Sequence, residues 1–502
     1  MHRKFATVEQ GPAFDQDRTM RPPRVPLERA LPLTLGLAGG FAALAFAGFP
    51  RDDALITYQY ALRLAGGLGF SYQDGPSVCG TSTPLWTLIL AAGARIGVDP
   101  ALFAPILGAG CHAATIPLTA RVGAILAGRR VGWIAAAMLA LFPPSVAIAG
   151  SGMEAPAATL LLLACLDAAL GGRRLRAGVL TGLLLLLRID LALFAALLFL
   201  WFRFEHGRFP WRSVAAALVV MAPWGIYAQH SFGALLPHSI EAKLAFYGGG
   251  DWPRAGATLD WFAGDPIRVV LSLLAIVGIW STAPFSRGRW LIALWPLVHF
   301  ASLDLAGTHV HEWYRTPPYP VFFLFSAAGA VVLIERIAHR RWASAARIAF
   351  AGAFLVVSAL RLPPTWSLWR EATEQWLGGH GAVAHWLAER TRPGDRVACG
   401  DIGLIGIGCG ATILDTVGLV SPEVVPFNRE GDYVGVYTQL RPEWVVIGTY
   451  GPLYSRIIGS KGFRSLYVER VRFPYGEEIE YIVFQRSEVG SDQSRKSATT
   501  GA

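Results

Sequence analysis

Apolar runs of roughly 17 to 25 residues recur along this chain, each long enough to cross a bilayer as a helix. That repetition leaves few options, because a soluble domain cannot bury so many continuous apolar segments. With 53% hydrophobic and 16% charged residues and a mean hydropathy of +0.42, a soluble enzyme is excluded. The net charge of +9 does not point to nucleic acid, since the basic residues collect in short loops between apolar runs. Clustering of Arg and Lys on alternate loops is the positive-inside pattern of a multi-pass membrane protein.

The loops fix an orientation. Arg18, Arg21, Arg24 and Arg29 hold residues 1–29 inside as a disordered cytoplasmic tail, and Leu31–Phe49 is a retained first span. The segment Pro84–Val98 is too short for a full crossing and is read as a juxtamembrane or re-entrant helix. Spans then follow near 101–126, 131–149, 155–171, 177–187, 191–203, 213–230, 267–283, 289–306, 316–337 and 345–361. This predicts about eleven transmembrane helices in a domain over 30–361. Arg129/Arg130, Arg173/Arg174/Arg176, Arg203/Arg208/Arg212, Arg287/Arg289 and Arg336/Arg340/Arg341 fall in inward loops.

After Arg361 the composition becomes more charged. Residues 362–486 read as a small extracytoplasmic α/β domain: DRVAC, GLIGIG and ATILD suggest strand, helical turn, strand. EWVVIG adds a strand, and SLYVERVRF with EYIVFQ reads as a closing hairpin. Residues 487–502 lack an apolar pattern and are expected to be disordered. Cys399 and Cys409 lie in this outward part, where a disulfide is permitted. No cysteine spacing suits a metal, and HVHEWYR lacks the third ligand a zinc site needs.

The chemistry is expected at the outer face, where unusual polar residues gather: Asp52, Asp53, Glu154, Arg188, Asp190, His238, Glu241, Lys243, His309, His311, Tyr314 and Arg315. Ionisable groups at one end of a helical bundle suggest a shared polar cavity. Asp52 and Asp53 stand where the first span meets water, as a helix cap or as a functional pair. Glu154 opens a helix and can serve its dipole or a site. Arg188 and Asp190 interrupt LLLLLLRIDLALF, which suggests an ion pair or a binding role.

Several segments together resemble GT-C glycosyltransferases, especially the polyprenyl-phosphate-sugar-dependent group that includes bacterial cell-wall arabinofuranosyltransferases. DDALITYQYALRLAGGLGFSY followed by GTSTPLW is similar to that group's first extracytoplasmic loop, with Leu55 in place of a usual Tyr and Gln59 in place of Arg. SGMEAP, RIDLALF, LPHSIEAK, HEWYRTPPYP and GDIGLIGIGCGATILDTVGLVSP follow in the family's order over about residues 31–430. His238 departs from a usual Asn, and Asp190 from the R-P-E-G pattern.

The resemblance implies a polytopic GT-C enzyme in the bacterial cytoplasmic membrane, with its site and C-terminal domain facing outward. It would move a sugar from a polyprenyl-phosphate donor to an envelope glycan or lipid, among membrane lipids and without an organic cofactor. Asp53, with Asp52 beside it and Glu154 next in line, would activate the acceptor. Lys243, Arg315, Arg188, His238, Tyr314 and His311 would hold the donor phosphate. Two adjacent acids would raise one pKa and make a base, or Asp52 and Asp53 would hold Mg²⁺ or Mn²⁺. Trp86, Trp252, Trp313 and Tyr314 are candidates for stacking on sugar. A non-catalytic assembly factor and a secondary transporter are the competing readings.

Overall fold

The computed structural model describes residues 27–248, 257–282, 290–305, 310–450 and 453–487. Trp252, Arg287, Arg289, His309 and the two terminal tails lie outside these residues. The first half is helical: α1 (Leu27–Leu44), α2 (Asp52–Ala65), α3 (Pro84–Arg95), α4 (Pro100–Ala127), α5 (Arg129–Ala140), α6 (Pro143–Gly150), α7 (Ala155–Leu170) and α8 (Arg174–Leu187). Then come α9 (Ala192–His206), α10 (Trp211–Phe232), α11 (His238–Tyr247), α12 (Ala257–Ala263), α13 (Pro266–Thr282), α14 (Trp290–Leu305), α15 (Glu312–Arg315), α16 (Tyr319–Ile337) and α17 (Ala343–Trp376).

Among the described residues, α4, α16 and the helix that begins with α17 are each long and apolar enough to cross a bilayer. The pair α5 and α6 is long and apolar enough only when taken together and is bent by 59°, the form of a broken span or a re-entrant loop. Shorter apolar helices lie at Ala30–Leu44, Ala155–Leu170, Pro266–Ser281 and Trp290–Leu305. The 12-residue α3 is too short to span, in keeping with its juxtamembrane reading. The compositional change at Arg361 falls inside a continuous helix. Helix α17 runs through Pro363 and Pro364 to Trp376, and a π turn at Leu377–Gly381 joins it to α18 (Ala382–Ala388).

The two ends of the bundle differ in chemistry. At one end Asp167 accepts from Arg121 at 2.5 Å and Arg173 at 2.6 Å, and Glu335 binds Arg130 at 3.1 Å and Arg347 at 2.7 Å. These are loops expected to be cytoplasmic. The opposite end carries Asp52, Asp53 and Glu154 and receives the C-terminal domain. Apolar packing in between relies on close helix approach. Where α13 crosses α16, a Cβ on Gly278 would collide with the Phe325 carbonyl, and one on Gly329 with the Leu274 carbonyl. Small residues of this kind let membrane helices approach backbone to backbone.

The C-terminal domain is a mixed five-stranded sheet of order β2-β1-β3-β5-β4: β1 (Arg396–Cys399), β2 (Thr412–Asp415), β3 (Trp444–Gly448), β4 (Tyr467–Tyr475) and β5 (Ile479–Arg486). Strand β1 is parallel to β2 and β3, and β4 and β5 form the antiparallel hairpin read from the sequence. The connections carry α19 (Leu404–Gly408), α20 (Val425–Glu430), α21 (Gly435–Leu440), α22 (Leu453–Gly459) and α23 (Lys461–Leu466). Cys399 and Cys409 are both buried free thiols, so the permitted disulfide does not form. Cys399 ends a strand, whereas the Cys409 thiol turns back toward the Gly406 carbonyl.

Replacing Gly329 or Gly278 with Val should wedge α13 from α16. Overpacking of this kind costs about 1–3 kcal/mol. Each variant should lower the thermal midpoint of the detergent-solubilised protein, whereas Gly352→Val, which faces open space, should leave it unchanged.

Candidate active site

The segment after the first span is built to dock. Helix α2 starts at Asp52 and buries Ala54, Ile56, Thr57, Tyr58, Tyr60 and Ala61, so that face packs inward. The carboxylate of Asp52 does not pair with Asp53. Its Oδ2 accepts the Gly403 N–H at 2.7 Å and its Oδ1 accepts the Leu404 N–H at 2.9 Å, both from the C-terminal domain. Gly403 is required by this approach, since a Cβ there would strike the Asp52 carboxylate. Tyr72 donates to the Ile402 carbonyl at 2.5 Å. Gln73 pairs with edge strand β2 through both backbone groups of Ile413, at 2.9 and 2.7 Å.

Docking encloses a cavity of about 600 Å³ between the bundle and the sheet. Asp53 faces it from α2, Lys243 from α11, and His311, Trp313, Tyr314 and Arg315 from the segment ending in α15. Lys243 Nζ lies 3.9 Å from Asp53 Oδ2 and donates to the Tyr314 hydroxyl at 3.4 Å. The hydroxyl and the carboxylate facing it hold the Lys243 ammonium charged against the cost of burial. Arg315 is only 8% exposed, and its Nε has no hydrogen-bond partner. Its guanidinium lies 5.4 Å from the Trp261 ring. A buried guanidinium edge without an acceptor is a ready site for an anionic oxygen.

Beneath this wall lies a second group. Arg188 Nη1 donates to Glu154 Oε1 at 3.0 Å, and Nη2 donates to Asp190 Oδ2 at 2.8 Å. The same guanidinium reaches the Trp313 carbonyl at 3.4 Å and sits 4.7 Å from the Tyr314 ring. His299 Nε2 lies 2.7 Å from the Tyr314 carbonyl. Glu154 and Arg188 therefore do not line the cavity but hold the backbone that presents Tyr314 and Arg315. His238 also lies outside it, with Nδ1 at 3.8 Å from Glu241 Oε2. Trp86 is in the core and donates to the Gly152 carbonyl at 3.2 Å. Trp313 does face the cavity, with His311 stacked on it at 4.3 Å.

The two acids have different settings. The raised carboxyl is Asp52, pushed up to about 7 by burial and then by Asp401, with Asp53 the smallest contribution. It is the docking residue, and it lines the cavity beside Asp53. The pair also does not present a shared cation site. Both Asp52 oxygens are taken by N–H donors and Asp53 already faces an ammonium. The described residues contain no group of three His, Cys, Asp or Glu side chains placed to hold a metal.

Arg51, Tyr247, Glu312, His380 and Asp401 also line the cavity and were not among the sequence candidates. Arg51 lies 3.5 Å from the Trp369 ring. His380 is 4% exposed on the π turn, with neither ring nitrogen hydrogen-bonded and Nε2 at 3.7 Å from Asp401 Oδ2. Burial lowers its pKa, which favours the neutral ring. Two signals were available: a carboxylate just past a parallel strand, in CGD, and a π-type break in a long helix, at GGHG.

Arg188 is the cation that Glu154 and Asp190 share, and removing it leaves carboxylate charge uncompensated, which costs about 3–5 kcal/mol. Arg188→Ala should therefore lower the thermal midpoint sharply, Glu154→Ala, which leaves the Arg188–Asp190 pair, should lower it less, and Asp53→Asn should barely move it. Asp52 gives a pH test. Its folded pKa of about 7 exceeds the unfolded value of about 3.9, so the folded state holds the proton longer. That contribution is fully present below about pH 4 and is lost as the pH rises through about 7. The midpoint measured from pH 5 to 8 should fall with pH, and Asp52→Asn should flatten the profile.

Comparison with known proteins places this geometry in a fold. A family model described as a domain of unknown function, DUF8728, matches residues 366–491. No curated protein matches the chain by sequence. Among solved structures, Cupriavidus metallidurans ArnT bound to undecaprenyl phosphate is similar, with TM-score 0.58 and 12% identity over 92% of this chain and 98% of that one. The apo state of the same protein gives TM-score 0.58 at 12% identity, over 91% and 97%. The Archaeoglobus fulgidus oligosaccharyltransferase in complex with Zn and sulfate gives 0.51 at 13% identity, over 82% of this chain and 67% of that one. The chain shares its overall fold with these solved structures; in this chain it is a helical bundle followed by a small C-terminal α/β domain.

Proposed function

We propose that this protein is a membrane glycosyltransferase that moves a sugar from a polyprenyl-phosphate donor to a hydroxyl on an envelope glycan or lipid. The observation that carries the reading is the cavity itself. One carboxylate, Asp53, faces one ammonium, Lys243, and the partnerless edge of Arg315 lies in the same wall. The similar ArnT structure, which contains undecaprenyl phosphate, supports a lipid-phosphate donor here. The basic loops at the opposite end of the bundle support an outward-facing site in a bacterial cytoplasmic membrane. The first-loop motif favours a pentose or hexose of the cell-wall type, as in the arabinofuranosyltransferase resemblance.

In this reading the acceptor oxygen attacks the anomeric carbon and the bond from that carbon to the phosphate oxygen breaks. Asp53 takes the hydroxyl proton as the new bond forms. Negative charge grows on the leaving lipid phosphate, where Lys243 meets it as a point charge and Arg315 as a donor fork. Tyr314 orients Lys243, and the Glu154–Arg188–Asp190 group fixes Tyr314 and Arg315. Trp313 offers an aromatic face beside the reacting sugar.

The test is transfer from radiolabelled polyprenyl-phosphate sugars to an envelope extract by reconstituted protein. A general base contributes about 10²- to 10⁴-fold, so Asp53→Asn should cut turnover within that range. Lys243→Ala should weaken donor binding, and Arg315→Lys should lower turnover because the fork is lost. EDTA should leave transfer unchanged. Undiminished transfer by Asp53→Asn would move the base elsewhere, and loss in EDTA restored by Mn²⁺ would reinstate a metal. Donor binding without transfer from any sugar would favour the assembly-factor reading.

A further inference from the structure

The C-terminal sheet holds a second cavity that the transferase chemistry does not use. The chain leaves β1 toward β2 on one side, and leaves β3 toward the hairpin on the other. Adjacent parallel strands whose connections diverge open a crevice at their carboxyl ends, the usual ligand position in such sheets. Here the crevice is a cavity of about 180 Å³, walled by Gly400 and Asp401 after β1, Thr416 after β2 and Gly448 at the end of β3. Tyr433, Tyr437, Tyr450 and Tyr454 supply much of the rest.

Asn428 points to a ligand. It is 1% exposed, and its Nδ2 donates to the carbonyls of Thr416 at 3.0 Å and Val417 at 3.1 Å. Those two bonds fix which end of the amide is nitrogen. Its Oδ1 is left buried in the cavity wall with no hydrogen-bond partner. An acceptor left so has lost its water without gaining a partner, and a ligand hydroxyl would relieve that. Among the described residues no Lys, Arg or His lines this cavity, so an anionic ligand has nothing to bind. Tyrosine rings, an amide oxygen and a carboxylate suit a neutral ring with apolar C–H faces and donating hydroxyls. Tyr247, Gly400, Asp401 and Val417 line this cavity and the larger one alike.

We infer that the crevice is a carbohydrate subsite, which holds a neutral sugar ring of the acceptor beside the transfer cavity. Only the word acceptor rests on the transferase reading; sugar binding stands on the crevice alone. The Asn428 amide oxygen accepts a ring hydroxyl, the tyrosines cover the ring face, and Asp401 stands at the passage between the cavities. The volume suits one ring, with the rest of a longer glycan outside.

The experiment uses the full chain in a detergent without a sugar headgroup. Saturation-transfer NMR would be recorded with methyl glycosides and disaccharides of glucose, galactose, mannose, rhamnose, arabinose and N-acetylglucosamine. Native mass spectrometry would record undecaprenyl phosphate binding on the same samples. At least one glycoside should receive saturation from the wild type. Asn428→Ala and Tyr454→Ala should each weaken that signal tenfold or more and leave lipid-phosphate binding within twofold. Tyr454 lies at the partly exposed rim, so its variant keeps the test open should Asn428→Ala fail to fold. Sugar signals that survive in a folded variant, or no signal from any glycoside, would overturn the inference. Glycoside binding without lipid-phosphate binding would leave the subsite standing and remove the donor assignment.

Discussion

Two backbone N–H groups in one carboxylate set the geometry of this protein. Asp52 grips Gly403 and Leu404, and with that grip the C-terminal domain becomes a wall of the large cavity. The neighbouring residue, Asp53, lines the same cavity, one residue along a helix whose other face is buried. Tyr72 and Gln73 extend the contact, and Gln73 occupies backbone groups of edge strand β2 that would otherwise be open for pairing. An ion pair between Glu241 of α11 and Arg429 of α20, at 2.5 Å, ties in the helix that carries Lys243.

Charge is arranged in tiers. In the lower tier Glu154 and Arg188 are buried, Asp190 reaches the surface, and the three satisfy one another, so its role is to hold shape. Its worth lies in the cost of breaking it. The upper tier is deliberately incomplete: Arg315 keeps a donor without an acceptor, and Lys243 meets Asp53 at a distance too long for a tight bond. Groups with bonding capacity left over are those that can respond to a substrate, whereas groups that are already satisfied can only support them. The division of labour between Glu154 and Asp53 follows from this contrast.

Much of this could be read along the chain. Long apolar runs and basic loops predicted the helical bundle and which ends belong together, because bilayer thickness and backbone satisfaction allow little else. The strand pattern after Arg361 predicted the first two strands, the helical turn between them and the closing hairpin, and the structure added that the first two strands run parallel. The outer-end polar list contained Asp53, Lys243, Tyr314 and Arg315, which the structure gathers into one cavity. It also contained His238, Glu154 and Arg188, which the structure keeps out of it. Sequence places residues at the same end of the bundle, but it does not say which side of a helix faces the gap.

What the sequence determined by itself was the bundle and the residue types available at one end, since those follow from hydropathy and charge alone. Tertiary structure decided what each acid does. Asp52 and Asp53 are adjacent and chemically alike, yet a helix turns consecutive side chains about 100° apart. One therefore meets the C-terminal domain's amides and the other an ammonium. Asp401, His380 and Asn428 likewise gained their settings only when the sheet docked on the bundle, because the partners that define them lie far away along the chain.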